Sequence, residues 1–514
     1  MAGELRTRKP SRETTPGLKT LPPYWYSYAT NAKERWIGRE ILEIVSTEFR
    51  DRSMEYYRHA LESGATTING KVATPNTVVR NGDRIENIVH RHEPPVTSTP
   101  VKIILHDKER ELLVIDKPGS IPVHATGRYN RHSLVEILRT EYGFENVHTV
   151  NRLDRLTSGL MILPLSPEVA RKVTKELVDG SVQKEYVARC MGEFLEEEIV
   201  CEEPLLTVDR QMGLNIVHPE GKLAKTVFNR LHYDANTDTS VVRCRPYTGR
   251  SHQIRVHLQY LGHPIPNDPV YCEERIWGPN LGKKGIDVVP SDERFAPAPP
   301  PHLQVDNSPE TLSNGSDDTT HPDSECQPKR KLLPRETGED IGMGSPVPLS
   351  SEAVGIIYRM RNMKDEDEDW SRWRDVVFRA KAALAPKVYS RRPPLPPQHR
   401  RKRGGEINIV EEDSGIPSSV VSDVGPEQEA AEGVAQLSVG EALDKLPTME
   451  APSPSVDPAT GTLYCPECYL PLHPDPKPER LYIFLHALKY TTSLGCFETE
   501  MPEWAAEGWE WDRS

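Results

Sequence analysis

The sequence predicts a mixed α/β (α+β) sheet domain, with a smaller α+β module ahead of it and long segments behind that build no core. Three observations predict this. Between residues 100 and 280, segments with a period of two alternate irregularly with helically spaced ones across short links, as in a mixed sheet domain. Residues 36–90 repeat the theme on a smaller scale. The chain's 514 residues exceed a usual single core, yet only 36% are hydrophobic and 47 are proline. The mean hydropathy is -0.60, so part of the chain is too poor in core-forming residues to fold.

Residues 1–35 read as an N-terminal extension. Its start, "MAGELRTRKPSRETTPGLKT", has five basic residues but also Glu4 and Glu13 and no apolar periodicity. That makes a poor secretory signal and a weak organellar one, and the placement expected is cytoplasmic, with mitochondrial or nuclear as alternatives. The module at 36–95 begins "GREILEIVSTEF", where Ile41, Leu42, Val45 and Phe49 recur at helical spacing. A second helix around "SMEYYRHALESG" and short strands punctuated by Asn69-Gly70 and Asn81-Gly82 follow. Pro94-Pro95 then stops any sheet or helix.

The main domain is placed at 96–285. Val101, Ile103 and Leu105 alternate, and "ELLVIDKPG" is a buried-type strand ended by Pro118-Gly119. "SPEVARKVTKELVDG" is a helix: Ser166 is placed to cap it, Pro167 suits its first position, Val169, Val173 and Leu177 share a face, and Gly180 ends it. In "VQKEYVARCMGEF", a period of two puts Lys184, Tyr186 and Ala188 on one face of a strand. After the strand "TSVVRCRPYTGR", Ile254, Leu258 and Leu261 mark an apolar helix stripe, with Arg255 off it beside His252 and Gln259.

Residues 286–345 and 391–460 read as disordered linkers rich in Pro, Ser and Asp, separated by a helical segment at 346–390. The basic run "RRPPLPPQHRRKRGG" reads as solvated linker rather than a binding site. The last piece, 461–510, opens on the knuckle Cys465–Cys468, with His473, His486 and Cys496 available to complete a tetrahedral site. We expect a structural zinc on Cys465, Cys468, His473 and Cys496, with free thiols as the alternative.

Charge does not exclude a nucleic-acid partner. The net charge is -13, but residues 1–280 carry 38 Lys and Arg against 37 Asp and Glu, so the acidity belongs to the rest. A near-neutral half can present a basic face to phosphate. Eight cysteines spread along the chain suggest no disulfide framework, and no apolar run is long enough to cross a membrane.

In "HTVNRLDRLTSGLMILPLS", Asp154 lies between Arg152 and Arg155, before a turn and an apolar strand. Taken alone, such an acid caps a turn or pairs with a cation. Its company raises the case for chemistry: a strand tyrosine, an arginine-rich "TGRSHQIR" turn, and no second carboxylate or metal box beside it.

"HTVNRLDRLTSGLMIL", "QKEYVARCMGEF" and "PYTGRSHQIRVHLQYLGHPIPNDPVY" resemble, in order and spacing, three core motifs of the RluA-type pseudouridine synthases. The N-terminal "YWYSYATNAKERW" and "HRHEPPV" and the C-terminal "CPECYLPLH" resemble the eukaryotic branch that modifies tRNA, including enzymes acting at position 32 of the anticodon loop. The resemblance implies a mostly antiparallel central sheet flanked by helices and loops, and a small RNA-binding fold at 36–95. It implies an isomerase with no catalytic cofactor and tRNA as partner. No membrane or nucleotide cofactor is expected, and the chain is expected to be a monomer.

By the same resemblance Asp154 is the nucleophile, Arg255 the cation paired with it (Arg250 in reserve), and Tyr186 the ring that stacks on the uracil. A uridine in a loop must be turned out of its stack, and Arg155 is the side chain suited to fill the gap. Arg152, Lys184, Arg250 and His252 are assigned to RNA binding. Two positions depart from the pattern: Asn151 stands where many relatives have His, and Asn267 where Gly is common. A deaminase domain is not expected, since Cys465–Cys468 has no preceding Pro. The alternative reading is a non-catalytic RNA-binding scaffold that keeps the fold.

Overall fold

The computed structural model describes residues 16–48, 54–209, 213–290, 345–368, 455–456, 463–465, 468, 472 and 475–511. Most of both expected linkers, the 391–405 basic run and His473 lie outside the described residues.

Leu18–Lys19 (β1) and Tyr24–Asn31 (β2) lead into two helices, Ile41–Glu48 (α1) and Met54–Glu62 (α2). Thr66–Ile68 (β3) and Lys71–Val72 (β4) form a hairpin whose Asn69 and Gly70 have φ of 52° and 75°, the left-handed pair that so tight a turn requires. Arg84–Arg91 (β5) completes a sheet in the order β2-β5-β3-β4, and Val96–Thr97 (β6) pairs with β1. Ile41, Leu42 and Val45 are buried with Trp36, Tyr57, Leu61 and Ile85. The module thus takes a whole strand, β2, from residues that the sequence alone sets apart as an extension. Glu93 joins it to the next domain: its carboxylate accepts from the backbone of Asn130, Arg131 and His132, each at 2.9 Å, and from the Tyr24 hydroxyl.

The main domain runs Lys102–Asp107 (β7), Leu112–Lys117 (β8), Leu134–Glu141 (α3), Ser158–Pro164 (β9), Pro167–Val178 (α4) and Gln183–Met191 (β10). It continues Ile199–Cys201 (β11), Leu205–Asp209 (β12), Leu214–Val217 (β13), Thr226–Asp234 (β14), Thr239–Pro246 (β15), Gln253–Leu261 (α5) and Glu274–Trp277 (α6). Ser351–Glu368 (α7), Ser455–Val456 (β16), Leu463–Tyr464 (β17), Leu485–Thr492 (β18) and Gly495–Glu498 (β19) follow. Helix α4 starts as its sequence requires, with Ser166 Oγ accepting from the Val169 amide and Pro167 in the first turn.

The central sheet has nine strands in the order β11-β14-β15-β10-β18-β9-β8-β7, with β19 added to β18. Every pairing in it is antiparallel except β18 with β9. Strand β18, from the C-terminal segment that the sequence separates from the 96–285 domain, thus sits in the middle of that domain's sheet. Its Ala487 and Tyr490 are buried in the same core as Leu113, Ile115 and Leu163.

Two details depart from simple periodicity. Helix α5 is buried all round from Gln253 to Gln259, so Arg255 and Gln259 face protein rather than solvent. Where β18 pairs with β10, Leu488 is an extra residue between the partners of Glu185 and Tyr186, so the bulge lies in β18. Beyond the central sheet, Ala353, Ile356, Ile357 and Met360 of α7 pack with Leu206, Ile216 and Trp277 in a separate core.

Candidate active site

The site grows from the loop between α3 and β9. Leu153 and Leu156 are buried, so the loop is pinned on both sides of Asp154 while the carboxylate itself remains 22% exposed. Arg255 Nη1 donates to Asp154 Oδ2 at 3.2 Å. Arg250, the reserve cation, instead donates to the Leu223 carbonyl at 2.9 Å.

Arg255 is held by a second acid that the sequence reading missed. Its Nε and Nη2 donate to Asp268 at 2.6 and 2.8 Å, a two-point grip that fixes the plane of the guanidinium. Asp268 is buried and accepts in addition from the amides of Val270 and Tyr271 at 2.9 and 3.0 Å. Its position inside the quoted "IPNDPVY" was a signal, but nothing in the sequence says which acid a distant arginine meets.

Burial pushes the Asp154 carboxyl up, but the charges of His252 and Arg255 and the Arg255 hydrogen bond outweigh it, leaving the group below its ordinary value. His252 Nε2 lies 3.6 Å from Asp154 Oδ2. Burial lowers His252 despite Asp154, so at neutral pH it carries little charge and Arg255 is the cation that keeps Asp154 ionised. His252 precedes α5 with a left-handed backbone, φ 58°, uncommon outside glycine, and its Nδ1 lies 2.9 Å from the Tyr271 hydroxyl. The turn before it is built on Gln253, which accepts from Thr248 Oγ1 and the Arg250 amide and donates to Lys225 O and Thr226 Oγ1.

Tyr186 reaches the site from β10. Its hydroxyl lies 2.6 Å from that of Tyr490 on β18, and the Asn151 side chain hydrogen-bonds to Tyr490. Asn151 therefore links the Asp154 loop to the tyrosine pair. Burial pushes the Tyr186 hydroxyl up to about 12; the Tyr490 hydrogen bond lowers it and the nearby Asp154 charge raises it further.

Under the loop lies a buried lysine. Lys117, at the end of β8, donates to the carbonyls of Pro118 and Ile121 at 2.9 Å and reaches the Arg155 carbonyl at 3.4 Å. Burial brings its ammonium down to about 7, against the pull of Asp154.

The residues assigned to RNA binding differ in exposure. Arg155 is half-buried with its guanidinium over the Tyr129 ring at 5.5 Å, Arg152 is exposed, and Lys184 is half-buried. Among the described residues, Cys496 is not grouped with Cys465 and Cys468. Cys496 is exposed on β19, and His473 is outside the described residues. His486 is tied to Ser158 Oγ at 2.8 Å and Thr499 Oγ1 at 2.7 Å. Cys465 and Cys468 instead meet His90 and His92 of the N-terminal module.

Comparison with known proteins adds an independent finding. The family described as RNA pseudouridylate synthase matches residues 111–260. The chain is 50% identical over 279 residues to tRNA pseudouridine(32) synthase, mitochondrial, of Saccharomyces cerevisiae, covering 53% of this chain and 59% of that protein. It is 42% identical over 316 residues to pseudouridylate synthase RPUSD2 of Homo sapiens, covering 60% and 57%. Against tRNA pseudouridine(31) synthase of the same yeast it is 31% identical over 299 residues, covering 50% of this chain and 73% of the relative. The chain spans less than two thirds of the first two relatives' length.

Proposed function

This chain belongs to the RNA pseudouridylate synthase family, and we propose that it isomerises uridine to pseudouridine in tRNA, within the anticodon loop. The reaction is an intramolecular transfer. The bond from ribose C1' to uracil N1 breaks, the base turns, and C1' joins C5, while C5 loses a proton and N1 gains one. No electron enters or leaves, and no cofactor is assigned to these steps.

The observation that carries the reading is the 3.2 Å hydrogen bond from Arg255 to a partly exposed Asp154. An ionised carboxylate is the nucleophile this chemistry needs, attacking the ribose or the base. Tyr186 supplies a ring beside it on which the uracil stacks. Its hydroxyl, pushed up to about 12, stays protonated at neutral pH, which favours the stacking role over a resting base; any C5 proton it handles is shared with Tyr490. Arg155 fills the space left by the flipped nucleotide, and Arg152, Lys184 and Arg250 meet the backbone. His252, against Asp154 and Tyr271, acts on the carboxylate more than on phosphate.

Position 32 is the target favoured by the yeast relative's name, and that name also favours the mitochondrial option over the cytoplasmic one. The test is Asp154→Ala. Pseudouridine formation in tRNA falls by ~10⁴-fold or more, as for removal of other enzymes' nucleophiles, while tRNA binding is largely kept. Equal product from the variant leaves the scaffold reading standing and removes this one.

A further inference from the structure

His90, His92, Cys465 and Cys468 place one nitrogen or sulfur atom each within 4.8 Å of all the others. We propose that these four residues bind a structural zinc ion that clips the N-terminal module to the C-terminal segment.

The geometry carries it. His90 Nδ1 and His92 Nε2 are 3.2 Å apart, His92 Nε2 and Cys468 Sγ 3.1 Å, and His90 Nδ1 and Cys465 Sγ 3.6 Å. A zinc tetrahedron with Zn–N of about 2.0–2.1 Å and Zn–S of about 2.3 Å has edges of about 3.3–3.8 Å. One ring nitrogen of His92 faces both His90 and Cys468, and a single N–H cannot donate to two partners at full strength. Four donor atoms converging on a common point suit one shared cation better than a chain of pairs.

The sequence arrangement builds such a site. His90 is the last residue but one of β5 and His92 lies just past the strand's end, so an extended chain turns both to one side. Trp25 on β2 packs against His90 at 4.6 Å between ring centroids, and the His90 and His92 rings stand at 85° to each other. Cys465 and Cys468 stand three residues apart in the sequence; both are buried and neither is in a disulfide. Two thiolates with two imidazoles select zinc over the harder magnesium or calcium.

The consequence is mechanical. The ion ties residue 90 to residue 465, closing a very long loop, and the chain after residue 465 leads to β18 in the middle of the central sheet. Metal binding thus supports both the RNA-facing module and the strand that carries Tyr490.

Full-length protein purified from zinc-supplemented cells is expected to hold one zinc per chain by elemental analysis. After stripping and refilling with cobalt(II), it should show the visible bands of a tetrahedral ion with thiolate charge transfer. Chelation should lower its melting temperature. Cys465→Ser and His92→Ala should each cut the retained metal at least tenfold, whereas Cys496→Ser should leave it unchanged. Retained zinc in both ligand variants overturns the proposal. So does a wild-type chain that binds neither zinc nor cobalt, or one isolated with a Cys465–Cys468 disulfide. The cobalt spectrum needs no variant, so a misfolded substitution does not decide the matter, and none of these readouts depends on pseudouridine formation.

Discussion

Arg255 stands between two carboxylates with unequal tasks. Asp268 is fully buried and fixes the guanidinium; Asp154 is partly open and receives the remaining N–H. In Arg255→Gln, Asp154 loses one opposing charge and its hydrogen bond while the burial stays, so the carboxyl rises. In the proposed mechanism activity needs the ionised form. In the wild type it therefore persists as pH falls and is lost only below the ordinary carboxylate range; in the variant the loss starts at higher pH. A pH profile of kcat/KM should show the acid limb moving up, and an unmoved limb counts against the pairing. Asp268 is left buried and unpaired in the same variant, so a stability loss of about 3 kcal/mol should appear in denaturant titration. Tyr490→Phe removes the hydroxyl facing Tyr186 and Asn151 but keeps the ring, so kcat should fall about tenfold with KM little changed, the worth of one hydrogen bond.

At the scale of elements, β9 and β18 pair in parallel just after the Asp154 loop. Gly159, at φ 115°, lies so close to β18 that a Cβ there would sit 2.3 Å from the Ala487 carbonyl oxygen and 2.4 Å from its nitrogen. Thr157-Ser158-Gly159 reads as a turn in the sequence; Ser158 and Gly159 are the first residues of a strand, and glycine is needed for backbone approach. Gly159→Ala should cost ~3 kcal/mol or more and loosen β18, checked by thermal melts and by hydrogen exchange at Ala487. Where order was local, it was legible: the Ser166 cap, the Asn69-Gly70 hairpin and the β8 run all follow from neighbouring residues. The trio of Asp154, Tyr186 and Arg255 was named through the resemblance to the synthase motifs. Asp268, Lys117 and Tyr490 were not, because each gains its meaning from a partner far away in the chain. The Cys and His cluster followed the same rule: half of it, the knuckle, is local, and the other half is two histidines some 375 residues earlier.

For the whole molecule, these distant returns mean that the C-terminal segment is part of the catalytic fold. Arg189 on β10 is buried and donates to the carbonyls of Trp504 and Ala506 at 2.7 and 3.1 Å. Asn267, one of the two departures from the family pattern, donates to the Tyr482 carbonyl at 3.1 Å and accepts from the Phe484 amide at 2.9 Å. It therefore holds the entry to β18. A chain ending at residue 460 loses β18 and β19, splits the sheet between β10 and β9, and leaves Arg189 and the apolar edges of two cores without their covering. Arg189 keeps Asp234 and Thr239 but loses two carbonyl acceptors, and a buried polar group left unsatisfied costs about 1–3 kcal/mol, a sizeable share of a typical domain's stability. The truncated chain should be insoluble or unfolded by circular dichroism. Supplied separately, residues 461–514 should restore soluble protein and pseudouridine formation on co-expression, because the missing strand docks through sheet pairing and core packing rather than through the connecting chain. A soluble, active chain ending at residue 460 would show that the sheet closes without β18, and that the hydroxyl of Tyr490 is dispensable to Tyr186.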